Sequence, residues 1–123
     1  MILVDTSVWI DHLHRRVPQL AQALVDGEVV SHAFVIGELA CGNIQARRQI
    51  LALMQQLPSV PLVSHEEALE LIERRRLMGK GLSYADVQLL ASVAITHGAR
   101  LWTNDKQLAA VAVALKVGFT PGS

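Results

Sequence analysis

Short apolar runs alternate along this chain with stretches in which apolar positions recur every three or four residues. The first run, Ile2-Leu3-Val4, predicts a strand at about 2–5 that feeds a helix near 7–15. Pro18 opens a second helical stretch and Gly27 stops it, before a second strand at Val29-Val30-Ser31. Helices at 33–42 and 45–56 follow, the latter ended by Pro58, and Val60 to Val63 reads as a third strand. Ser64 with Glu67 three residues on has the spacing of a capping box, heading a helix that runs to Met78 and breaks at Gly79 and Gly81. Ser83 with Asp86 repeats the spacing ahead of a nearly all-apolar helix reaching Thr96 and closed by Gly98. Arg100 to Thr103 is the fourth strand, 105–115 is helical, and Val117 to Thr120 adds a short fifth strand. Strands alternating with helices predict an α/β fold with a mainly parallel central sheet.

With 123 residues and no repeat, low-complexity tract or linker, the chain reads as one domain, 1–123. Hydrophobic residues make up 51% but aromatics only 4%, so the core is aliphatic. The single cysteine, Cys41, excludes an internal disulfide or a Cys-rich zinc site, fits a reducing compartment, and reads as a small core residue. The start of the chain lacks a basic region, Asp5 interrupts its apolar run, and no run approaches the roughly 20 residues of a spanning helix. The expectation is a soluble, cytoplasmic protein with no membrane association. The histidines, His12, His14, His32, His65 and His97, show no metal-ligand spacing.

The acids change the picture. Glu66, Glu70 and Arg74 form an ordinary solvated row on one helix face, but four other carboxylates interrupt apolar surroundings. Asp5 ends the first strand. Glu38 has Phe34 and Val35 behind it and Cys41 ahead of it at helical spacing. Asp86 has Leu89 and Leu90 as neighbours, while the polar row of its helix is Gln88, Ser92 and Thr96; Asp105 follows the fourth strand. Ordinary capping accounts for Asp5, Asp86 and Asp105 one at a time, but it does not account for Glu38, which lies in a helix body.

In an open parallel sheet, ligands bind outside the carboxyl ends of the strands, and Asp5 and Asp105 both stand there. If Glu38 and Asp86 face the same crevice, four negative charges converge, and they stay ionised only around a cation. Donors that are all oxygen favour a hard ion, Mg²⁺ or Mn²⁺. Such an ion is bound by a few carboxylates and leaves its remaining positions to water and phosphate oxygens. Thr6, Ser7, Thr103 and Asn104 flank Asp5 and Asp105 in mirrored positions, as helix caps or as a polar shell around the acids.

Net charge is zero, yet setting the four acids aside leaves 11 basic residues against seven other acids. Arg15-Arg16, Arg47-Arg48, Arg74-Arg75-Arg76 and Lys80 are candidate phosphate contacts for a polyanion.

The segments MILVDTSVWID, VIGELACG around Glu38, LSYADVQLLASVA around Asp86 and LWTNDKQL around Asp105 together resemble the PIN-domain ribonucleases, specifically the VapC toxins of toxin–antitoxin pairs. The resemblance implies a PIN-like three-layer α/β/α sandwich and an endoribonuclease. It implies that Asp5, Glu38, Asp86 and Asp105 hold Mg²⁺ or Mn²⁺, with Ser7 and Thr103 in the polar shell of the site. It further implies RNA as substrate, a cognate antitoxin whose C-terminal segment blocks the pocket, and a homodimer. A receiver-type signalling domain would want paired acids after the first strand and an Asp ending the third, where this chain has Val63-Ser64; a phosphatase using Asp5 as nucleophile would want Asp where Ser7 stands. A PIN-like domain that binds RNA or a partner without cutting remains the other alternative.

Overall fold

The most apolar runs become the centre of a sheet. In a computed structural model that describes residues 1–122, β1 (Ile2–Val4) lies between β2 (Val29–Val30) and β3 (Arg100–Trp102), and both neighbours run parallel to it. Ile2 pairs with Val29 and Arg100, Leu3 with Val30 and Leu101, and Val4 with Trp102. All of β1 is buried, and successive strand side chains point to opposite faces, so both faces of the sheet are covered. The cover comes from α1 (Thr6–His14), α2 (Pro18–Val25), α3 (Ala33–Cys41), α4 (Arg47–Gln56), α5 (His65–Arg75), α6 (Tyr84–Ala94) and α7 (Lys106–Ala114). The result is the expected α/β/α arrangement on a parallel sheet.

Two expected strands shrink to single bridges, Ser31 with Ser59 and Leu101 with Gly118. Val60 to Val63 forms no ladder because Pro58 and Pro61 have no N–H to donate, leaving only Ser31 N–H on Pro58 O at 2.8 Å and Val60 N–H on Ser31 O at 3.0 Å. Val60 and Val63 are buried all the same. The expected strand at 117–120 is likewise limited to Leu101 N–H on Val117 O at 2.7 Å and Phe119 N–H on Leu101 O at 2.8 Å.

Both capping boxes form, with Ser64 and Glu67 starting α5 and Ser83 and Asp86 starting α6. α5 stops at Arg75, short of Met78, because Arg76 takes a left-handed conformation with φ 54°. The polar row of α6 does not face solvent, for Gln88 and Ser92 are buried. Every residue from Val87 to Val93 is buried, since α6 packs on α3, α5 and β3 at once. Most of its polar groups are satisfied internally: Ser92 Oγ meets His32 Nε2 at 2.9 Å, Gln88 Nε2 donates to Tyr84 OH at 2.9 Å, and Thr96 Oγ1 donates to Ser92 O at 2.7 Å, while the buried Gln88 Oε1 has no partner among the described residues. Cys41 is exposed at the end of α3 and is not a core residue, because the inward positions of that helix fall to Val35 and Leu39. The exposed Glu70 and Arg74 lie on the wet face of α5, as their helical spacing predicts. Among the described residues, no helix is long and apolar enough to cross a membrane.

The order β2-β1-β3 fixes where a ligand can enter. The chain leaves β1 for a neighbour on one side and later adds β3 on the other, so the connections diverge outside the carboxyl ends of β1 and β3. Asp5 follows β1 directly, and its N–H donates to Trp102 O at 2.9 Å, locking the two strand ends together.

Candidate active site

Asp5 occupies the N-cap position of α1, but its carboxylate makes no capping bond. It is turned instead toward the end of β3, where its Oδ2 accepts from Thr103 Oγ1 at 2.7 Å and from Ser7 Oγ at 2.9 Å. Both hydroxyls also accept a backbone proton: Thr103 Oγ1 from Asp105 N–H at 3.1 Å and Ser7 Oγ from Asn104 N–H at 3.1 Å. Each hydroxyl therefore has its own proton committed to Asp5. The β3–α7 turn is tied to the start of α1 through one buried carboxylate, 7% exposed.

The three other acids follow the same pattern. Glu38, exposed on α3, accepts from Thr6 Oγ1 at 2.7 Å through Oε1. Asp86 Oδ2 accepts Ser83 N–H at 2.9 Å as the second half of its capping box. Asp105 Oδ1 caps α7, accepting from Gln107 N–H at 2.9 Å and Leu108 N–H at 3.1 Å. The capping explanation of Asp86 and Asp105 thus holds for one oxygen of each. The second oxygen of all four, Asp5 Oδ1, Glu38 Oε2, Asp86 Oδ1 and Asp105 Oδ2, has no hydrogen-bond partner among the described residues.

Electrostatics link three of them directly. The carboxyl of Asp86 is raised above the usual carboxylate range, first by burial and then by the negative charges of Asp5 and Asp105, against the lowering effect of the Ser83 hydrogen bonds. Glu38 does not enter that balance and joins the group through Thr6, the neighbour of Asp5. Among the described residues, no three acid, imidazole or thiol side chains close into a ready-made ligand cage. Like charges stand apart unless a cation draws them in.

The expected shell residues divide by what they offer. Thr6, Ser7 and Thr103 act through their hydroxyls, whereas Asn104 contributes its backbone N–H and leaves its amide free toward a groove shared with Ser7, Asp11 and Arg15. Of the candidate phosphate contacts, Arg15 lines that groove, and Arg75 and Lys80 share a second one with Gln107, two residues beyond Asp105. Gly81 brings this loop in: its φ is +78°, and a Cβ there would lie 2.5 Å from Gln107 Oε1. Arg47 is taken up structurally, donating from Nε at 3.0 Å and Nη2 at 2.7 Å to Ala40 O near the end of α3.

One pair was not legible as functional from the sequence. His32, fully buried at the end of β2, accepts Phe34 N–H on Nδ1 at 3.0 Å, which puts the ring proton on Nε2 facing Ser92 Oγ. It fastens the start of α3, which carries Glu38, to α6, which carries Asp86. The only sequence signal is an imidazole directly after an apolar strand.

The PIN domain family matches residues 2–114. The chain is 52% identical over 110 residues to Ribonuclease VapC32 from two strains of Mycobacterium tuberculosis, covering 89% of this chain and 89% of that protein. The family match spans Asp5, Glu38, Asp86 and Asp105, and the chain belongs to the PIN-domain family, within its VapC branch.

Proposed function

We propose that the chain is a divalent-metal-dependent endoribonuclease acting, as one domain, as the toxin of a toxin–antitoxin pair. One observation carries this reading: burial and then Asp5 and Asp105 at two strand ends raise the carboxyl of Asp86 on α6, Thr6 beside Asp5 holds Glu38, and each of the four acids has one oxygen held by a protein donor and one spare. Half-held acids also occur at the surface, as Glu67 in its capping box; what supports a shared cation here is that Asp86 feels the negative charges of Asp5 and Asp105. The donor set of Asp5, Glu38, Asp86 and Asp105 fits Mg²⁺ or Mn²⁺, because hard ions take carboxylate oxygens and leave other positions to phosphate and water. The name of the relatives, Ribonuclease VapC32, supports RNA as the substrate.

The ion, when bound, supplies charge neutralisation at the phosphate and an acidified water. The chain does the rest. Ser7 and Thr103 fix the rotamer of Asp5, Thr6 fixes Glu38, and the amides of Ser83, Gln107 and Leu108 fix Asp86 and Asp105. Orienting the donors beforehand lowers the reorganisation needed when substrate arrives. Arg15 on one side and Arg75 with Lys80 on the other supply the positive charge that holds RNA across the acids. A cognate antitoxin, homodimer assembly and a cytoplasmic location complete the reading, in keeping with the VapC branch.

Incubating the purified protein with a mixed RNA pool, with and without Mg²⁺ or Mn²⁺, beside Asp5→Asn, tests it. Cleavage that needs the ion and disappears in the variant is the expected result. Cleavage in chelator, or by Asp5→Asn at the native rate, refutes the metal mechanism.

A further inference from the structure

A cleft of 550 Å³ runs between the outer face of α1 and the loop joining α3 to α4, lined by Ile10, Leu13, His14, Asn43, Gln45 and neighbouring apolar residues. It meets the groove that holds Ser7, Asn104 and Arg15, because Ile10 and His14 line both. Ser7, whose hydroxyl orients Asp5, and Arg15 thus stand beside a pocket lined by apolar side chains and by Asn43 and Gln45. Its volume lies within the roughly 300–1,000 Å³ typical of small-ligand sites.

Resting on the ribonuclease reading above, we propose that this cleft is a nucleobase subsite that selects RNA by the base lying near, but not at, the cut. Asn43 and Gln45, both exposed, each carry a donor and an acceptor that no protein group engages among the described residues, so both are available to a ligand. An unstacked base presents its Watson–Crick edge to such groups and rests its face on apolar carbons. Ile10, 38% exposed, and Ile44 supply the carbons, and the guanidinium of Arg15 meets the connecting phosphate. Asp11 also lines the connecting groove, which places the phosphate on the Arg15 side. The loop that carries the amides is anchored at both ends, by Gly42 N–H on Leu39 O at 3.1 Å and by the Arg47 guanidinium on Ala40 O. A peptide segment would also cover the apolar residues, but it does not account for the continuity with the groove that holds Ser7 and the Arg15 guanidinium.

The test is cleavage of a randomised single-stranded RNA library, with sequencing of the ends to give the base frequency at each position around the cut. Wild type should favour one base at a flanking position, Asn43→Ala/Gln45→Ala should lower that preference at least fivefold, and Gln45→Glu, which exchanges a donor for an acceptor, should change which base is favoured. A wild type without a flanking preference, or variants with the wild-type profile, would overturn the proposal and leave the cleft to a protein segment. A wild type that cuts no RNA would remove the ribonuclease reading itself, an outcome distinct from an unchanged profile.

Discussion

Thr103 and Asp5 are 98 residues apart in sequence and 2.7 Å apart in space, hydroxyl to carboxylate. The same hydroxyl accepts the N–H of Asp105, so one side chain sets the positions of two of the four acids. Thr103→Val keeps the shape and removes the bond. Loss of a hydrogen bond that orients a metal ligand costs about 10- to 100-fold in metal affinity or activity. Thr103→Val should therefore need about tenfold more Mg²⁺ for half-maximal cleavage, as read from metal titrations of activity, with little change in thermal midpoint.

Crowding among the acids has a cost in stability. Asp86 is raised by burial and by Asp5 and Asp105, so removing its charge relieves repulsion, while an amide oxygen at the same place still accepts Ser83 N–H. Asp86→Asn should melt higher by about 3–5 °C, on the order of 1 kcal/mol, and should lose cleavage. Differential scanning calorimetry beside an RNA assay checks both; a lower midpoint would show that the acids do not repel one another.

The buried His32 makes stability depend on pH. Burial lowers its pKa from 6.5 to about 4, so between those values the unfolded chain binds the proton and the folded one does not. Stability is full above pH 6.5 and is lost as pH falls toward 4, at no more than about 1.4 kcal/mol per pH unit. His32→Asn does not titrate there, so in urea unfolding at pH 7 and pH 5 it should show a smaller drop than wild type. An equal drop would place the titration elsewhere.

Arginines should separate by role. Arg15→Ala and Lys80→Ala should each flatten the slope of log affinity for RNA against log salt by about one unit. Arg47→Ala should leave that slope alone and lower the thermal midpoint, because its guanidinium is spent on Ala40 O. Fluorescence anisotropy over a salt series distinguishes them.

Local chemistry made much of this structure readable. Ser64 with Glu67 and Ser83 with Asp86 start helices because the motif satisfies its own amides, whatever the tertiary setting. The strand beginning at Ile2 and its terminal acid were readable for a similar reason, since an apolar run ending in Asp5 belongs to a sheet with a polar rim. What depends on neighbours was not. Val60 to Val63 has a strand's composition, but Pro58 and Pro61 deny it the ladder bonds, leaving one bridge beside β2. Gln88, Ser92 and Thr96 have the spacing of a wet helix face, and only the packing of α3, α5 and β3 around α6 puts Gln88 and Ser92 inside. The four acids were found by their isolation in apolar context, but that each keeps one oxygen spare is a fact of geometry.

Direct Mn²⁺ titration followed by electron paramagnetic resonance decides whether the spare oxygens share an ion. Wild type should bind the ion, and Asp5→Asn, Glu38→Gln, Asp86→Asn and Asp105→Asn should each weaken binding about tenfold or more. Binding of equal strength in all four variants, or none in the wild type, would contradict a common metal site.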